Sequence, residues 1–154
     1  MAGINAGEIR QIAMVGHSHG GGSIYDLCKR LQDNPGGAIE NPGQFAITMT
    51  AYVDAIRNDG SLETIAETRL PPLSQNNVNL YQGPDDLTWG ASVPGSVPNW
   101  HVNIALECVN NQGHNDIDDC PVVHAILTDR LNHATFGACY TLNSNYCDDG
   151  LECQ

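Results

Sequence analysis

Three residues of the chain could together carry out acyl transfer: Ser18, Asp54 and His114, in that order along the sequence. A serine hydroxyl is a weak nucleophile until a base takes its proton. An imidazole can be that base and later return the proton to the leaving group. A carboxylate on the far side of the imidazole fixes its tautomer and stabilises the imidazolium that forms. Ser18 stands in Gly16-His17-Ser18-His19-Gly20. This fits G-x-S-x-G, the nucleophile-elbow pattern, which has meaning only between a strand and a helix.

The surrounding sequence supplies both elements. Ile12, Ala13, Met14 and Val15 form a short apolar run that stops at Gly16. After Gly20 and two more glycines, Ile24, Leu27, Cys28 and Leu31 recur at helical spacing. The elbow holds its serine in a strained backbone conformation that pushes the hydroxyl out from the sheet. Gly16 and Gly20 are expected to remove side chains that would strike the strand and the helix. The helix aims its first amides at the same point, so the His19 N–H is the expected first oxyanion donor. Other glycine-rich chemistry is excluded: the Gly-Lys-Ser/Thr ending of a Walker loop and a G-x-G-x-x-G fingerprint are both missing.

The acid and the base are placed by the elements that follow. QFAITMTAY (Gln44 to Tyr52) is a β-branched, apolar run and is expected to be a buried parallel strand. Asp54 follows it, on the sheet edge where functional residues of open α/β sheets gather. The plainer role for Asp54 is a turn or helix N-cap, and Asp85 or Asp86, after the next strand (Asn77 to Gln82), are alternative acids. Trp100 to Leu106 alternates as a further strand, and Pro121 opens a helix carrying Val122, Val123, Ile126, Leu127 and Leu131. His114 lies on the loop between them.

The other five histidines fit other places. His17 and His19 flank the serine, where an elbow directs side chains away from the nucleophile; His101 lies within a strand. His124 falls in the middle of the final helix, with a covering role, and His133 at its end, where a cation suits the dipole. A metal site built on His17, His19 and His101 is a weaker reading, because the elbow explains the glycines better.

Taken together, the elbow segment and Gly113-His114-Asn115-Asp116-Ile117-Asp118 leading into the last helix resemble the α/β-hydrolase superfamily, in particular its lipase-like and esterase-like members. The order serine, acid, histidine is the order of that superfamily. The resemblance implies an α/β fold with a mostly parallel sheet and flanking helices. It implies a serine hydrolase acting on carboxylic esters or lipids with no cofactor. It covers Glu8 to about Asn132 and corresponds only to the second half of the fold, without the N-terminal strands that carry the second oxyanion donor. Three arrangements stand open: a partner piece that supplies the missing strands, a minimal or degenerate member that keeps the triad with weak activity, or pairing with another copy through the exposed sheet edge. The alternative is a non-catalytic secreted structural or assembly module built on a truncated hydrolase core.

Size and composition bound these expectations. At 154 residues the chain is one domain, read as 1–136 with a Cys-rich tail over 137–154. The net charge of −12, with Lys29 the single lysine, opposes binding to phosphate backbones. No apolar run reaches the roughly 18 residues of a membrane span, and residues 1–11 have neither the basic nor the apolar region of a signal peptide. Six cysteines, with no Cys-x-x-Cys, point to an oxidising, extracellular setting. Cys139, Cys147 and Cys153 crowd the tail, while Cys108 and Cys120 bracket His114, where a disulfide would hold the histidine loop. Two further segments are expected to be excursions: residues 55–76, and the Pro- and Gly-rich stretch around Trp89, which either binds substrate or is anchored by that tryptophan. Ala6 to Gln11 is expected to end a short lead-in helix.

Overall fold

A computed structural model describes residues 9–33, 45–58, 65–83, 89–101, 108 and 113–136. They form an α/β structure: four strands in the order β1 (Gln11–His17), β2 (Ala46–Val53), β3 (Asn77–Tyr81), β4 (Asn99–His101), each parallel to its neighbour. Helix α1 (His19–Asp33) follows β1, and helix α2 (Pro121–Phe136) follows a short 3-10 turn at Gly113–Asn115. No helix among the described residues is long and apolar enough to cross a membrane. The tail cysteines Cys139, Cys147 and Cys153, the continuation of the last strand to Leu106, and Asp85 and Asp86 lie outside the described residues.

The two helices cover opposite faces of the sheet. Met49, Ala51, Val53, Val78 and Leu80 face α2, where Val123, Ile126, Leu127 and Leu131 meet them. Each fully buried aliphatic side chain there contributes about 1.5–3 kcal/mol. Ile47 and Tyr52 face α1 and pack with Ile24 and Cys28. Ile47 shares the sequence parity of Met49 yet points the other way because Thr48 is an extra residue. Ile12 and Ala13 are consecutive, but their partners are Ile47 and Met49. That bulge lets one strand serve both cores. On α1 the buried stripe is Gly21, Ile24 and Cys28. Leu27, expected on it, is 40% exposed, because it lies off the line set by residues 21, 24 and 28.

Asn77 and Asn79 face away from α2, and the chain that covers them is a loop. Asn77 Nδ2 donates to Ser96 Oγ at 2.7 Å, and Asn79 Nδ2 donates to the Ala91 carbonyl and Asn99 Oδ1, both at 2.8 Å. Val93 is fully buried beneath the same segment. These residues, and not Trp89, anchor the excursion; Trp89 is 37% exposed.

Within the stretch 55–76, the described residues 55–58 and 65–76 are tied down more firmly than a surface excursion. Ile56 bridges Ala66, the Glu67 N–H donates to the Ala55 carbonyl at 2.8 Å, and the Glu67 carboxylate is fully buried. Arg69 gives it three hydrogen bonds of 2.5–2.9 Å, and its guanidinium lies over the Tyr25 ring. The Glu67 bonds push the Arg69 guanidinium further into its charged form. The expected lead-in helix ending at Gln11 is absent from residues 9–11. Arg10 instead accepts from the Ala46 N–H, and Gln11 opens β1.

Candidate functional site

Three side chains converge at the C-terminal edge of the sheet. Ser18 Oγ lies 2.9 Å from His114 Nε2. His114 Nδ1 lies 2.6 Å from Asp54 Oδ2. All three residues singled out from the sequence are thus in one hydrogen-bonded chain, with the hydroxyl donating to one ring nitrogen and the other ring nitrogen donating to the carboxylate.

Ser18 follows the last residue of β1 and precedes α1, so it stands at the helix N-cap. A capping serine ordinarily turns its hydroxyl back to the amides of the first turn. Here the backbone is left-handed, φ 53°, and the hydroxyl is given to His114 instead. The Ser18 carbonyl holds the turn by accepting from Gly21 N at 3.0 Å and Ile56 N at 2.9 Å. Gly16 is needed: a Cβ there would lie 2.5 Å from the Gly20 carbonyl group. Gly20 itself faces open space. The close approach expected of it belongs to Gly21, whose Cβ would lie 2.3 Å from that of Ala55, so α1 packs against the chain just beyond β2.

Asp54 is fully buried and its carboxylate is enclosed by donors. The Gly90 N–H donates to Oδ1 at 2.5 Å, the Gln82 N–H to Oδ1 at 3.1 Å, and Gln82 Nε2 to Oδ2 at 3.3 Å. With His114, these replace the water a buried carboxylate loses. A Cβ at residue 90 would come within 2.6 Å of Oδ1, so the glycine is what lets the backbone amide reach the acid. Gln82 and Gly90 were not marked by any motif. Gln82 has one sequence signal, its place at the end of the run read as a strand, Asn77 to Gln82.

His114 is held by its own loop. Gly113 turns the chain with φ 73°, and Asp116 N, Asp119 N and Cys120 N each donate three residues back, so the loop is a run of tight turns. Ile117 is fully buried in the α2 core and pins its middle. The Cys108–Cys120 disulfide expected around the histidine is present. Cys120 also caps α2, its carbonyl accepting from His124 N at 3.0 Å.

His19 is exposed and its Nδ1 lies 3.2 Å from the Arg57 carbonyl. His124 stands in the first turn of α2, not in its middle, and bonds the Asp118 carbonyl, so it does not cover the sheet. His133 Nδ1 lies 2.8 Å from the Asp129 carbonyl in the last turn. His101 ends β4. His17 lands on His114: its Nε2 lies 2.8 Å from the His114 carbonyl and the two rings are 4.8 Å apart. His17 and His19 therefore diverge. Among the described residues no three His, Cys, Asp or Glu side chains are grouped to hold a metal ion.

Cys28, the remaining cysteine among the described residues, is unpaired and wholly buried under α1, and burial pushes its thiol up to about 11. It is a packing residue and not a nucleophile. No protein-family model, no curated protein and no solved structure matches the chain.

Proposed function

We propose that the chain is a serine hydrolase of the α/β-hydrolase type that cleaves carboxylic esters or lipids through an acyl-enzyme on Ser18. The observation that carries this reading is the continuous hydrogen-bonded chain Ser18–His114–Asp54, with a buried, fully ligated carboxylate at its end. A serine left at an N-cap for structure alone would cap its helix; this one serves an imidazole.

In the proposed reaction His114 Nε2 takes the Ser18 proton as Oγ attacks the ester carbonyl carbon. Asp54 stabilises the imidazolium through Nδ1. Collapse of the tetrahedral intermediate breaks the ester C–O bond, and His114 protonates the departing alkoxide. Water, deprotonated by the same imidazole, then releases the acid and frees Ser18. The first N–H groups of a helix have no acceptor within it, so the His19 N–H is available to the oxyanion. These side chains suffice for acyl transfer without a cofactor. β1 is an outer strand of the sheet among the described residues, and its Val15 is exposed, which supports a second copy or partner chain extending the sheet there. The disulfide supports an oxidising, extracellular setting.

The test is reaction of the purified chain with a fluorophosphonate probe, with Ser18→Ala as control. Peptide mapping should place the label on Ser18 and the variant should take none. A folded chain that stays unlabelled removes the enzyme and favours the non-catalytic module.

A further inference from the structure

We propose that His17 is a positioning residue for His114, gripping the loop so that the imidazole faces Ser18; this rests on the hydrolase reading above. His17 comes from the opposite end of the chain, 97 residues before its partner, and meets the loop at three points. Its Nε2 is 2.8 Å from the His114 carbonyl. A carbonyl only accepts, so Nε2 carries a hydrogen, and this bond persists whether His17 is neutral or charged. Its Nδ1 lies 3.4 Å from Asp118 Oδ2, four residues further along the same loop. Its ring leans on the His114 ring at 4.8 Å and 36°.

The grip originates in the sheet. His17 pairs with Val53 in the β1–β2 register, one residue before Ser18 on its own strand and one before Asp54 on the other. The residue that holds the His114 backbone is therefore fixed to the same two strand ends that supply the nucleophile and the acid. His114 hangs on a loop, and its Nε2 must stay within hydrogen-bond reach of Oγ. A displacement of about 1 Å at such a site costs on the order of 100-fold in rate. Asp54 orients the ring through its far nitrogen; His17 fixes the backbone from which the ring projects.

The experiment compares His17→Phe, which keeps a ring against His114 but loses the donor, with His17→Gln, whose amide can place a donor near Nε2. Hydrolysis of p-nitrophenyl butyrate and the proton NMR signal of the His114 Nδ1–H are both read. The Phe variant should lose about 10- to 100-fold in kcat with KM changed by less than about threefold. Its Nδ1–H signal should broaden or vanish. The Gln variant should keep at least about a third of kcat and retain the signal. A Phe variant equal to the parent on both readouts overturns the proposal, as does a Gln variant as impaired as the Phe variant.

Should His17→Phe not fold, Asp118→Asn decides, since that side chain is 44% exposed and is not needed for the core. A loss of about threefold or more in kcat with a broadened signal supports the grip; an unchanged rate and signal overturn it. A parent chain that neither hydrolyses the ester nor labels at Ser18 fails the hydrolase reading. The Nδ1–H comparison still judges His17 in that case.

Discussion

Ser18 and Asp54 leave neighbouring strands at the same level with the same left-handed backbone, φ 53° and 48°. The register that pairs His17 with Val53 makes them adjacent, and the Ser18 N–H donates to the Val53 carbonyl at 3.1 Å. Each residue bends out of the sheet at its C-terminal edge, where both side chains meet His114, and each adopts a conformation that L-residues ordinarily avoid.

Asp54→Asn separates the carboxylate from the backbone it occupies. Asparagine tolerates the left-handed region, and its carbonyl can still accept from the Gly90 and Gln82 amides. Its amide nitrogen faces His114 Nδ1, which then becomes the acceptor, and the proton moves to Nε2, where it blocks the base. Acylation of Ser18 should fall by roughly 10³–10⁴-fold while the chain stays folded. A loss below about tenfold, measured as the probe labelling rate, would sink Asp54 as the acid. Asp54→Ala should lose stability as well, by about 1 kcal/mol or more, because alanine strains at positive φ.

The glycines of the elbow should separate into two groups. Gly16→Ala and Gly21→Ala each place a Cβ within 2.5 Å of a fixed neighbour, and urea unfolding should show about 1–3 kcal/mol lost by each. Gly20→Ala enters open space inside a helix and should be neutral or gain about 0.5–1 kcal/mol. Because the clash at Gly21 is with the Ala55 Cβ, Ala55→Gly in the same chain should recover part of its loss. Equal stability for all three single variants is incompatible with the elbow described above.

The strands and both helices were legible because their signals are local: apolar runs, a proline at the start of α2, glycines at the turn. Ser18, Asp54 and His114 were legible because each falls at a strand end or on the loop after one, positions that topology converts into proximity. Two kinds of feature escaped. The first is backbone crowding. Gly16, Gly20 and Gly21 look alike in sequence, and only the approach of the Gly20 backbone to Gly16 and of Ala55 to Gly21 tells which must lack a Cβ. The second is the buried polar contact over long range. The burial of Glu67 beside Ala55, the enclosure of Asp54 by Gln82 and Gly90, and the contact of His17 with His114 depend on partners distant in the chain. A bulge at Thr48 likewise flips Ile47 against the alternation that sequence alone suggests.

The Cys108–Cys120 bond joins residues 12 apart around the histidine, and both sulfurs belong to the core under α2. Closing a loop of this size is worth about 3 kcal/mol. Replacing both cysteines with serine should lower stability by about 2–3 kcal/mol. It should also slow Ser18 labelling by about tenfold at temperatures where the variant remains folded, since the loop that sets the His114 position is loosened. A variant that loses stability but labels at the parent rate would assign the bond to the fold alone.

Burial beneath α1 makes the molecule sensitive to alkali. The Cys28 thiol, ordinarily ionising near 9.0, is pushed up to about 11, and burial together with the neighbouring Glu67 raises the Tyr52 hydroxyl above its usual 10.0. Between these values the unfolded chain releases protons that the folded chain keeps, so stability falls as pH rises. The contribution of Cys28 should be intact below pH 9 and lost progressively between pH 9 and 11, with Tyr52 adding to the decline from about pH 10. Urea midpoints followed from pH 8 to 11 should drop less steeply in Cys28→Ala above pH 9, and less steeply in Tyr52→Phe only at the upper end. The same burial predicts that iodoacetamide leaves Cys28 unmodified in the folded chain at pH 8 and alkylates it once urea has unfolded the protein. Rapid labelling of the native chain at Cys28 would mean that α1 opens far more readily than its packing on Ile47 and Tyr52 allows.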